Sequence, residues 1–211
     1  MSTRRPKAPS RIGLSSSPRS EPLDRWLDAV LATPGLTSLN DRGDAWSVLV
    51  EDSLRLSPLV AAEGDPVVDV GSGGGAPGIP LALAFPERKF VLLEAQERKC
   101  AFLREHAPPN AQVVWGRAEE QETDWAGMAV AKALAPPPVA AEWCLPLVRP
   151  GGAVALLVGP SADREAIARV AERLGSRAVE EHEGVVLLRK EGPTPPGFPR
   201  RPGMAKKRPL A

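Results

Sequence analysis

Val67-Val68-Asp69-Val70-Gly71-Ser72-Gly73-Gly74-Gly75-Ala76-Pro77-Gly78 is the stretch that decides the fold. A short apolar run ends in a turn with five glycines in eight residues, then feeds a helical segment beginning near Ile79. Glycine permits positive φ and lets backbone N–H groups approach a ligand with no Cβ in the way, so the turn reads as the binding turn of a βα unit. The same texture continues downstream, with short apolar runs alternating with helical periodicity, the pattern of helices around a mostly parallel sheet. Strands are expected over 67–70, 89–94, 112–115, 128–132, 153–158, 177–180 and 185–189, and helices over 79–85, 97–106, 139–147 and 162–174. The last two strands meet at a tight connection around Gly184 and are expected to pair antiparallel at the sheet edge. Upstream, Leu23, Trp26, Leu27, Val30 and Leu31 share one helical face, stopped by Thr33-Pro34-Gly35. A second helix is expected over 44–56 with Trp46, Leu49, Val50 and Leu54 inward. The chain divides into a basic segment expected to be disordered (1–22), a helical cap (23–64), an α/β domain (65–192) and a basic tail (193–211).

The acids in this frame select the ligand. Gly73-x-Gly75-x-x-Gly78 also fits a dinucleotide fingerprint, but that pattern alone is weak. Asp69, two residues ahead of Gly71, would repel a pyrophosphate at the mouth of the turn and suits a cation. S-adenosylmethionine carries an ammonium and a sulfonium, and Asp69 is placed to hold its methionine end directly or through water; a plain turn cap is the alternative. Glu94 closes the second strand, where a doubly wound fold puts an acid that accepts both ribose hydroxyls, a need shared by NAD and S-adenosylmethionine. The third strand runs into Gly116-Arg117-Ala118-Glu119-Glu120. There the Ala118 N–H and the Glu119 carboxylate are placed to meet an adenine ring, unless the segment is a solvated acidic loop.

Composition removes other classes. With 211 residues, 43% hydrophobic and 25% charged, the chain is of ordinary globular make-up, with no apolar run long enough to cross a membrane and no apolar leader at its start. It is expected to be cytoplasmic and monomeric. Cys100 and Cys144 lack metal or disulfide spacing and read as reduced core thiols; His106 and His182 stand apart from other ligand types, so no metal is expected. The net charge of +1 hides a division: five basic groups and one acid in 1–21, five basic groups and no acid in 193–211, and an acidic interior. Two basic ends on an acidic body suit a polyanion such as nucleic acid, unless they only confer solubility.

Three segments carry a resemblance to the RsmG (GidB) family of 16S ribosomal RNA guanine-N7 methyltransferases. The run from Asp69 to Leu81, with Leu92-Leu93-Glu94 and Lys99-Cys-Ala-Phe102-Leu103 behind it, resembles the family's cofactor half. Gly116-Arg-Ala-Glu-Glu120 is similar to its adenine turn, and Phe198-Pro-Arg-Arg-Pro-Gly203 with Lys207-Arg-Pro-Leu210 is similar to its basic tail. The resemblance implies a class I S-adenosylmethionine-dependent methyltransferase, Rossmann-like, with a seven-stranded mostly parallel sheet, a reversed last strand and a short helical cap. It implies S-adenosylmethionine as cofactor, touched by Gly71, Ala76, Ala118 and Glu119, which join Asp69, Gly73, Glu94 and Lys132 as the expected cofactor contacts, and 16S ribosomal RNA of the small subunit as substrate. Arg200, Arg201, Lys206, Lys207 and Arg208 become RNA contacts. Lys132 takes the place of a family arginine beside the cofactor's reactive end and becomes the catalytic candidate. The chain departs from the family where Val158 replaces a lysine, Val48-Leu49 replaces an Arg-His pair and Gly35-Leu36-Thr37 replaces Asn-Leu-Thr. Those departures leave an alternative: a catalytically reduced paralogue that binds S-adenosylmethionine and ribosomal RNA.

Overall fold

Central strands made almost wholly of Val, Leu and Ala, without a polar alternation, must be covered on both faces. That is how the sheet is built in a computed structural model describing residues 21–182 and 184–211; the N-terminal segment expected to be disordered lies almost entirely outside the described residues. β1 (Val67–Val70), β2 (Phe90–Glu94), β3 (Ala111–Trp115), β4 (Ala126–Lys132) and β5 (Val148–Leu157) run parallel, followed by β6 (Ser176–His182) and β7 (Val185–Lys190). The order is β3-β2-β1-β4-β5-β7-β6, and β7 is antiparallel to both neighbours. The expected seven-stranded sheet with a reversed last strand is present among the described residues. β5 starts at Val148, five residues before the expectation. A register shift between Ala126 and Met128 lets β4 pair as far back as Val148, which the Pro150-Gly151-Gly152 run conceals in the sequence.

Helices cover the sheet and build the cap. α1 (Glu21–Ala32), α2 (Arg42–Ala45), α3 (Asp52–Leu54) and α4 (Ser57–Ala62) precede β1. A π-helical stretch, Trp46–Glu51, joins α2 to α3, so the single helix expected over 44–56 is interrupted. Asp41 starts α2 by accepting hydrogen bonds from the Gly43 and Asp44 N–H groups. The cap shares a core with the sheet: Leu27, Val30 and Val50 pack with Ile79, Leu92 and Leu103. Trp26 Nε1 donates to the Gly74 carbonyl at 2.8 Å, which ties the cap to the glycine turn itself. The remaining helices are α5 (Gly78–Ala84), α6 (Glu97–His106), α7 (Pro137–Cys144), α8 (Arg164–Arg173) and α9 (Met204–Lys207).

Beyond β7 the chain turns back over the domain. The Lys190 ammonium is buried, donates to the Leu145 carbonyl and Thr194 hydroxyl at 2.9 Å each, and lies 3.4 Å from Asp124. Burial pushes its pKa down and Asp124 opposes that push. Asp124 also accepts from the Thr194 N–H and hydroxyl. Ten residues past Lys190, Arg200 forks onto the Glu142 carboxylate of α7 at 2.5 and 2.6 Å. The tail is therefore part of the fold. Cys100 and Cys144 are buried free thiols.

Candidate active site

In an open parallel sheet the ligand crevice lies beyond the carboxyl ends of the strands, where strand order reverses. Here that point is between β1 and β4, and a cavity of about 400 Å³ opens there, lined from the ends of β1 to β4 and from α7 and α9. Gly71, with φ of 71°, forms its floor; a Cβ on Gly71 would meet Leu134 Cδ1 at 2.2 Å, so no other residue fits without displacing a lining side chain.

Glu94 lines the cavity and is 6% exposed. Its Oε2 accepts from Gly73 N–H at 2.9 Å and its Oε1 from Gln96 N–H at 2.8 Å, which fixes the carboxylate while each oxygen keeps a further lone pair for a ligand hydroxyl. Gly73 itself acts from behind, through that hydrogen bond. Ala118, buried at the end of β3, and Glu119 form the opposite wall. Glu119 Oε1 already accepts from the Gly203 N–H at 3.1 Å, leaving Oε2 for the cavity.

Besides Gly73, three expected cofactor contacts, Asp69, Ala76 and Lys132, lie outside the cavity lining. Asp69 is 1% exposed behind the glycine turn, where its Oδ2 accepts from Gly78 N–H at 3.0 Å and the Ser72 hydroxyl donates to its carbonyl. A Cβ on Gly78 would come within 2.6 Å of the same Oδ2, so carboxylate and glycine fit only together. Asp69 Oδ1 is buried without a partner. Loss of water pushes the Asp69 carboxyl up to about 7 against the lowering effect of the Gly78 hydrogen bond. The turn-cap alternative describes this geometry. Ala76 is half-buried and packs against the cap.

Lys132 ends β4, directly before the cavity residues Ala133 and Leu134. Its Nζ donates to the Val48 carbonyl of the π-helical stretch and lies 3.5 Å from Asp52 Oδ2. Burial pushes its pKa down, and Asp52 pulls it up. The lysine thus joins the cap to the strand end, with one of its three N–H directions left over. Of the basic tail, Arg200 is committed to Glu142 and to the Arg208 carbonyl, whereas Arg201, Lys207 and Arg208 have exposed side chains. Lys206 lies with its Nζ 5.1 Å from the Trp143 ring centre and lines the cavity. Leu134, Trp143 and Lys206 were not legible as cavity residues, because each is brought there by packing between segments distant in sequence. No group of histidine, cysteine or acidic side chains among the described residues is arranged to hold a metal.

Taken with a cavity at the switch point, an acid fixed at the end of β2 and a glycine floor at the end of β1, the reversed seventh strand defines a class I S-adenosylmethionine-dependent methyltransferase fold. A solved S-adenosylmethionine-dependent O-methyltransferase from Thermotoga maritima shares it with a TM-score of 0.56 at 14% identity, over 79% of this chain and 71% of that one. The family is narrower. Residues 23–189 match the GidB model, rRNA small subunit methyltransferase G, and the chain belongs to that family. Among its relatives, the Ribosomal RNA small subunit methyltransferase G of Moorella thermoacetica is 37% identical, covering 83% of this chain and 82% of that protein. The protein of the same name from a Synechococcus strain is 34% identical over 84% of this chain and 79% of its own length. The chain is accordingly an S-adenosylmethionine-dependent methyltransferase of the ribosomal RNA type. No helix among the described residues is long and apolar enough to cross a membrane.

Proposed function

We propose that this chain transfers a methyl group to N7 of a guanine in 16S ribosomal RNA, acting in the cytoplasm as a monomer on the small ribosomal subunit. The observation that carries the reading is the cavity into which Gly71, Glu94, Ala118 and Glu119 converge from three strand ends. Its volume and mixed lining fit a nucleoside cofactor. Glu94 would hold the ribose, Ala118 N–H and Glu119 Oε2 the adenine, and the backbone at Gly71 the methionine end. Asp69 supports the turn from behind, through its hydrogen bond from the Gly78 N–H. When bound, the cofactor supplies a methyl group activated by sulfonium.

Guanine N7 presents a lone pair and carries no proton, so the reaction asks for alignment and no general base. Lys132 is the proposed catalytic contact. Clamped by Val48 and Asp52, it holds its remaining N–H beside the β4 end, where it would donate to guanine O6 or a neighbouring phosphate as charge moves onto the purine. A lysine offers one point of charge where an arginine would offer a fork. A strain lacking this gene should lose one N7-methylguanosine from its 16S RNA and regain it from a plasmid copy; unchanged RNA would remove the proposal. The catalytically reduced alternative draws on Val48, Leu49 and Val158, which offer no side-chain hydrogen bonds to a substrate.

A further inference from the structure

Sequence composition makes the C-terminal residues an RNA arm, yet they meet the cofactor cavity from within. Resting on the reading of that cavity as the S-adenosylmethionine site, we propose that the segment 197–211 is the wall of its adenine end, with Gly203 and Lys206 acting as positioning residues for cofactor recognition.

The segment is seated at several points. The Gly203 N–H holds Glu119 Oε1, so the tail sets the direction in which the carboxylate's other oxygen points. Arg200 anchors the segment on Glu142, which is 3% exposed, and its third nitrogen closes the loop on the Arg208 carbonyl at 2.9 Å. Ala205 is buried, and Phe198 and Leu210 pack on the main core, so both ends of the segment are held. Lys206 crosses the Trp143 ring, and both side chains line the cavity. Trp143 Nε1 is buried with no partner, a donor left over at the same wall.

The chemistry follows from Glu119. A carboxylate whose one oxygen is occupied presents the other as an acceptor, which recognises the 6-amino group of adenine and rejects a 6-oxo purine. Without the Gly203 N–H the carboxylate is free to turn toward solvent. The tail therefore contributes purine discrimination as well as affinity.

Two measurements on the protein test this, with S-adenosylhomocysteine and its 6-oxo analogue S-inosylhomocysteine as probes. The full chain should prefer the adenosyl compound, and the chain ending at Pro202 should bind it about tenfold more weakly with the preference narrowed several-fold. A purely structural tail would weaken both probes alike or neither, and either result overturns the proposal. Because a truncated chain can lose its fold, tryptic cleavage of the intact chain is followed at Lys206 and Lys207. Saturating S-adenosylhomocysteine should slow it several-fold; equal rates with and without the probe overturn the proposal. Failure of the full chain to bind S-adenosylhomocysteine at all would instead overturn the cofactor reading on which this one rests.

Discussion

Burial sets the chemistry of Asp69. The native carboxyl titrates at about 7, against 3.8 for an ordinary aspartate, because the turn excludes water and Glu94 adds repulsion. Between these two values the folded chain holds a proton that the unfolded chain has released, so this residue's contribution to stability falls as pH rises from about 4 to about 7. Asn at position 69 keeps an acceptor for Gly78 N–H and carries no charge. Asp69→Asn should therefore gain stability relative to the parent on going from pH 5 to pH 8, by up to about 3 kcal/mol. Urea melts at the two pH values measure it, and parallel pH dependences in both proteins would contradict the assignment. Cofactor affinity should change less than tenfold in this variant, about 1.4 kcal/mol, since Asp69 lies behind the turn and outside the cavity.

Elements are joined here by charged side chains that cross long stretches of sequence. Glu142 sits on α7 and Arg200 on the tail, 58 residues apart, and the pair is bidentate with Glu142 buried. Arg200→Ala leaves that carboxylate buried and unpaired, and should cost about 3 kcal/mol of stability. A denaturant melt of the variant with an unchanged midpoint would return Arg200 to the RNA-contacting group. The strands, α6 and the glycine turn were legible in the sequence because their signals are local: apolar runs such as Val67–Val70, and the spacing of Cys100, Phe102 and Leu103 along one helix. The interruption of the cap helix at Trp46–Glu51 was not, since the periodicity of Trp46, Leu49 and Val50 hardly differs between α and π geometry. Nor was the docking of the tail. Composition registers five cations at 193–211, but only the folded chain shows that Arg200 faces Glu142, that Lys206 faces Trp143, and that Lys190 ahead of them is buried against Asp124. At the site, Glu94, Ala118 and Glu119 were legible as strand-end residues. The support role of Asp69 depends on Gly78 arriving nine residues later.

At the scale of the whole molecule, an acidic body carries a basic segment folded back onto it; its exposed cations are Arg201, Lys206, Lys207 and Arg208, of which Lys206 lies over Trp143 and the other three are free of the cavity. Replacing these three by alanine should weaken binding to small-subunit particles and reduce the salt slope by about 0.7 to 0.9 for each phosphate no longer neutralised. An unchanged slope would show that RNA is held elsewhere. The cap, the glycine turn and β4 meet in one frame through Trp26, Gly74, Lys132 and Asp52. We propose that this frame aligns a guanine N7 for methyl transfer. It is tested most directly by incubating the purified chain with radiolabelled S-adenosylmethionine and small subunits lacking the modification, then identifying the labelled nucleoside. Label is expected in N7-methylguanosine of 16S RNA, with Lys132→Ala slower by about tenfold, or 1.4 kcal/mol, and Lys132→Arg at least as fast as the parent. Label in another nucleoside, or none with the parent protein, would contradict it.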